Sequence, residues 1–155
     1  MTLRATSVKP AGTWSGPAVD TVVLDYDNRH RRRIAMRGQG GLTFLLDLDM
    51  TRLLRDGDGL VIEDGRVVAV AAAPERLLHI ACDDPLHLLR VAWHLGNRHL
   101  ETELRADGLR IRDDPVIAEM LVGLGARITV VEAPFDPEGG AYAHHRTDDA
   151  ADAHG

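Results

Sequence analysis

The chain has a single cysteine, Cys82, and only two Trp, two Tyr and two Phe among its 155 residues. One cysteine excludes an intrachain disulfide framework and a Cys-rich zinc site. Scarce aromatics mean that any core must be built from Leu, Val, Ile and Ala, and small cores of that kind are marginal without a partner surface. No apolar run approaches the roughly 20 residues that cross a bilayer. The opening stretch MTLRATSVKPAGTW lacks the apolar segment of a secretory leader. These absences predict no membrane contact and a cytoplasmic location. The formal charge of −6 also lacks the basic excess of a nucleic-acid binder.

One run opposes that charge: Arg29-His30-Arg31-Arg32-Arg33. Arg29, Arg31, Arg32 and Arg33 read either as a charged edge strand that resists edge-to-edge pairing or as a docking surface for an acidic partner. No aromatic interleaves them as a nucleic-acid stacking platform requires. Gly38-Gln39-Gly40-Gly41 lacks the Lys-Ser/Thr of a phosphate loop and the spacing of a dinucleotide fingerprint, so it reads as a turn.

The first half reads as short strands over residues 19–25, 33–37 and 42–48, followed by a hairpin over 61–68. Asp64-Gly65 predicts a two-residue type I′ turn in that hairpin. The second half repeats its punctuation. Asp83-Asp84-Pro85 opens one helical pattern and Asp113-Asp114-Pro115 another, thirty residues later. In each an Asp can cap the helix and the Pro suits its first turn. Gly96 and Gly125 are the expected glycines just past each helix. Strand patterns at 77–82, 99–105, 109–112 and 127–132 complete the order βαββαβ, the split-βαβ, ferredoxin-like arrangement.

The predicted fold class is therefore α+β. Its domains are an all-β domain over 1–73, a ferredoxin-like domain over 74–142 and a small, polar, mobile tail over 143–155. The second helix carries one apolar face, Ile117, Met120, Leu121 and Leu124. The first is apolar nearly all round, with His87, Arg90 and His94 as its polar stripe. It requires cover on both sides, which predicts a homodimer.

Histidine carries the candidate chemistry. His94 and His99 are five apart with Gly96 between them, so they do not form the i, i+4 pair of a zinc hydrolase. His94 in a last helical turn is readily explained by the helix dipole. His99 is expected to start a strand on which His99, Glu101 and Glu103 share one face. One imidazole is a poor metal site, but two brought together by a dimer axis leave coordination positions open for nickel, copper or zinc. His144, His145 and His154, interspersed with Asp148, Asp149 and Asp152, form a His/Asp tract able to supply further ligands. The competing reading is an incidental polar tail.

Three stretches together resemble the UreE urease accessory protein family: Trp93-His94-Leu95-Gly96-Asn97-Arg98-His99, Leu54-Arg55-Asp56-Gly57-Asp58, and the segment APFDPEGGAY at 133–142. That resemblance implies a peptide-binding-like β domain followed by a dimeric metal-binding domain. It implies Ni(II) as cargo, with Zn(II) or Cu(II) as competitors, held by His99 of both chains and by tail histidines. It further implies delivery to the urease apoprotein through an accessory GTPase, with no enzymatic activity. Relatives with histidines near residues 113–115 have an extra site that this chain lacks, because Asp113-Asp114-Pro115 stands there. Two other readings are a small ferredoxin-like hydrolase, with Asn97 and Arg98 orienting an anion, and a metal-independent docking module using the arginine run.

Overall fold

The computed structural model describes residues 2–139, so Gly140 to Gly155, with His144, His145 and His154, lie outside the described residues. Among those described, the chain divides into two compact units, one ending at Ala73 and one beginning at Pro74.

The first unit is a six-stranded sheet in the order β2-β6-β5-β1-β4-β3. Its elements are β1 (Arg4–Lys9), β2 (Asp20–Leu24), the short α1 (Tyr26–Arg29), β3 (His30–Arg37), β4 (Thr43–Leu53), β5 (Gly59–Ile62) and β6 (Val67–Ala72). The inward residues Val22, Met36, Phe44, Leu46, Leu60 and Val68 build an almost wholly aliphatic core around Ala5. β1 lies between β5 and β4 and runs parallel to β4. The sequence pattern did not reveal it, because RATSVK offers only Ala5 as a fully buried residue.

The β5–β6 hairpin forms at the expected place, but its turn differs from type I′. That type needs positive φ at both central residues. Here Gly65 alone takes it (φ 93°), with Gly65 N donating to Ile62 O at 2.8 Å and Ile62 N to Arg66 O at 2.8 Å. The connection is therefore a longer turn in which Gly65 supplies the left-handed step. The glycine cluster at 38–41 wraps a carboxylate. Asp20 accepts from Thr21 N (2.7 Å), Gly40 N (2.8 Å) and Leu42 N (3.0 Å). Those amides hold the Asp20 carboxyl below the usual carboxylate range, led by the bond from Gly40.

The second unit is a four-stranded antiparallel sheet, β10-β7-β9-β8, with two helices, and its connectivity is βαββαβ. The elements are β7 (Pro74–Ala81), α2 (Pro85–Asn97), β8 (Glu103–Arg105), β9 (Gly108–Arg112), α3 (Pro115–Gly123) and β10 (Arg127–Pro134). Both helices start as the repeat predicts. Asp84 accepts from His87 N (2.8 Å), and Asp114 from Val116 N (3.0 Å) and Ile117 N (3.2 Å), with Pro85 and Pro115 in the first turn. Val91 and Leu95 of α2 and Ile117 and Leu121 of α3 pack with Leu78, Ile80, Leu109 and Ile111 of the sheet.

Candidate metal centre

The two helices end in the same hydrogen-bond pattern, and it corrects the sequence reading of His99. At the end of α3, Gly125 N donates to Val122 O (2.9 Å) and Ala126 N to Leu121 O (3.1 Å), with Gly125 at φ 84°. At the end of α2, His99 N donates to Gly96 O (3.0 Å) and Leu100 N to Leu95 O (3.3 Å), with His99 at φ 58°. This is the Schellman cap, whose left-handed position glycine usually fills. The counterpart of Gly125 is thus His99 and not Gly96. Gly96 lies inside the helix, without a positive φ.

The predicted strand over 99–105 shrinks accordingly to Glu103–Arg105. His99, Glu101 and Glu103 do not share a face. Glu101 accepts from Arg112 Nη2 at 2.8 Å, while Glu103 is buried and accepts from Arg105 Nη1 at 2.7 Å. His99 itself is exposed on the turn. Among the described residues no group of three His, Cys, Asp or Glu side chains is arranged to hold an ion. Any complete shell therefore requires ligands from beyond these residues.

The surroundings of His99 suit a cation. It follows the C-terminal end of a 13-residue helix, where the dipole is negative. That same sign disfavours the hydrolase reading, since Asn97 and Arg98 would have to collect an anion at the end that repels it. His99 borders a shallow cleft of about 420 Å³, whose apolar side is Ala92, Gly96, Leu100, Leu104 and Gly139 and whose polar side is Glu101, Thr102 and Glu138. The apolar surface continues along α2 through Leu89 (66% exposed), Trp93 (64%) and Leu86 (56%). Among the described residues nothing requires glycine at position 96: an added Cβ would meet nothing within 4 Å. Glycine in a helix costs about 0.5–1 kcal/mol relative to alanine, so its use here fits a surface approached closely from outside.

His87 and His94 are accounted for structurally. His87 Nε2 donates to Leu124 O at 2.7 Å. His94 lies in the last turn of α2 with its ring edge-on to Trp93, 5.2 Å between centroids. Burial pushes the Cys82 thiol up, the opposite of an activated thiolate.

The arginine run separates into different roles. Arg29 is 1% exposed, closes α1, and donates from Nε to Leu24 O (3.2 Å) and from Nη1 to Leu54 O (3.3 Å). It is therefore not available as a docking residue, and its expected place in a partner surface is corrected. Arg31, Arg32 and Arg33 are exposed on β3, an edge strand, as the edge-protecting reading requires. Arg32 Nη1 reaches Leu48 O (3.2 Å), and Arg33 lies 3.6 Å from Asp47.

Comparison with known proteins covers both units. A family model described as UreE urease accessory protein, N-terminal domain, matches residues 3–73. A second, described as UreE urease accessory protein, C-terminal domain, matches residues 75–155. The chain is 63% identical over 141 residues to a urease accessory protein UreE of Rhodopseudomonas palustris (strain BisB18), covering 91% of this chain and 67% of that protein. It is 59% identical over 141 residues to one from Beijerinckia indica, covering 91% and 82%. A third, from Chelativorans sp. (strain BNC1), is 52% identical over 146 residues, covering 94% and 90%. Among the described residues no helix is long and apolar enough to cross a membrane.

Proposed function

This chain belongs to the UreE urease accessory protein family, and from that membership we propose that it is a nickel carrier, not an enzyme. Two copies hold Ni(II) at their interface and pass it, in the cytoplasm, through an accessory GTPase to the urease apoprotein. The observation that carries this reading is the position of His99 at the rim of an unpartnered apolar surface formed by Leu86, Leu89, Trp93 and Leu104. A second copy seated there would bury that surface, and full burial of one Leu contributes roughly 1.5–3 kcal/mol. It would also bring two imidazoles together beside two negative helix ends, favourable for a dication. Imidazole suits nickel, zinc and copper alike, so Zn(II) and Cu(II) compete.

The tail supplies the remaining ligands in this reading. Gly139 borders the cleft, and His144 and His145 follow it by five and six residues. Five residues span at most about 18 Å, enough to reach an ion at His99. His154 is the more distant donor. A shell completed by the tail can open for hand-over, which suits transport better than catalysis, where rigid preorganisation is required.

Nickel calorimetry with mass measurement tests this on the intact chain, His99→Ala and a chain truncated after Tyr142. The expected result is one tight ion per dimer, lost in His99→Ala and weakened by truncation. Metal and proton compete for imidazole, whose ordinary pKa is about 6.5, so affinity falls as pH drops from about 7.5 to 5.5. Binding untouched by His99→Ala would end the assignment.

A further inference from the structure

The last described residues, after β10, return to the stretch that follows His99. Phe135 is fully buried, and the Arg112 guanidinium carbon lies 5.9 Å from its ring centroid. Asp136 N donates to Glu103 Oε1 at 2.8 Å, and the other carboxylate oxygen of Glu103 accepts from Arg105 Nη1 at 2.7 Å. Glu138 N donates to Thr102 O at 2.8 Å, and Thr102 Oγ1 donates in turn to Leu100 O at 3.0 Å. Asp136 and Glu138 are thus each fastened within four residues of His99, and Phe135 is anchored against Arg112. Gly139 then meets the same cleft as His99.

We propose that residues 135–139 form a strap that fixes the root of the C-terminal tail at the His99 cleft, with Glu103 as the positioning residue that holds it. The inference rests on the reading of His99 and the tail as metal ligands, and extends it to residues that touch no metal. Glu103 is 6% exposed. A buried carboxylate is retained only where charge-assisted partners offset its desolvation. Here those partners are a guanidinium on its own strand and a backbone amide of the strap. The consequence is a matter of effective concentration. A ligand on a connecting segment acts intramolecularly, at a concentration that falls as about the −3/2 power of segment length. With the strap fastened, the segment from Gly139 to His144 is five residues; with the strap released from the end of β10 at Pro134, it is ten. That doubling lowers the effective concentration about threefold.

The test is nickel calorimetry on the full-length dimer. One variant carries twelve Gly/Ser residues inserted after Gly139, which leaves the described contacts of Phe135, Asp136 and Glu138 in place and lengthens the segment from five to seventeen. Its affinity is expected to fall about sixfold. Glu103→Ala, which removes the acceptor of Asp136 N, is measured in the full chain and in the chain truncated after Tyr142, and is expected to weaken nickel binding by up to about threefold in the first, the limit of full strap release, and not at all in the second. Equal weakening in both backgrounds would mean that Glu103 serves only the fold, and an insertion without effect would mean that the root position does not matter. Either result overturns the strap. If truncation alone leaves affinity at the parent value, the tail is not a ligand and the functional reading of the tail fails before the strap is reached.

Discussion

A test of the cap at the end of α2 separates what His99 does for the fold from what it does for metal. The two helix ends share the two bonds of the cap, with glycine in the left-handed position of one and histidine in that of the other. A left-handed backbone costs an L-residue roughly 1–2 kcal/mol relative to glycine, somewhat less for histidine, which tolerates the region better than most. Glycine's larger unfolded-state entropy takes back about 0.4–1 kcal/mol. His99→Gly is therefore expected to be more stable than His99→Ala by about 0.5–1 kcal/mol, raising Tm by about 3–6 °C for a unit of this size. The exposed ring contributes little to either difference, because His99 is not packed into the core. The assay is thermal unfolding in a chelator at one fixed protein concentration, since the proposed self-association would make Tm concentration-dependent. Both variants should lose nickel binding. If His99→Gly melts no higher than His99→Ala, the left-handed position at residue 99 carries no cost and the equivalence of His99 with the cap glycine Gly125 is refuted.

Three further outcomes follow from the same geometry. Arg29→Ala should destabilise the first unit by about 2–4 kcal/mol, because two buried carbonyl partners, Leu24 O and Leu54 O, lose a charged donor. Arg31→Ala should stay within about 0.5 kcal/mol; comparable losses in denaturant titrations of the two would refute the division of the arginine run. Asp20 is held below its ordinary pKa by amide donors, so its stabilisation is present above the unfolded value near 4 and is lost as pH falls through the lower folded value. Asp20→Asn should flatten that acid limb of the unfolding profile, and an unchanged limb would count against the Asp20 turn. Gly96→Ala should stabilise α2 by about 0.5–1 kcal/mol while weakening self-association measured by sedimentation. Unaltered association would mean that nothing approaches Gly96 closely.

Local chemistry was legible in the sequence because its causes act within a few residues. Asp84 and Asp114 cap their helices three residues away, prolines occupy the first turns, and alternation marks most strands, so the βαββαβ order can be read directly. The identity of His99 as the residue to watch was likewise legible, from the motif around it. Its conformation was not. Glycine at 96 suggested an earlier helix end, but the helix continues to Asn97 and the cap falls one turn later. That end is chosen by where Leu95 and Leu100 can both pack on the sheet. Residues 4–9 carry no clear strand pattern in sequence, and β1 is defined by the pairing of β4 and β5 on either side of it. Arg29 reads as one of four surface cations until the carbonyls of Leu24 and Leu54 accept from its buried guanidinium. The return of residues 135–139 depends on a carboxylate 33 positions back, Glu103. Sequence by itself determined most of the elements and singled out His99 as the candidate ligand, because those signals are short-range. Only tertiary structure decided which charges are buried and what lies beside His99, because those outcomes depend on hydrogen-bond partners and packing surfaces far apart along the chain.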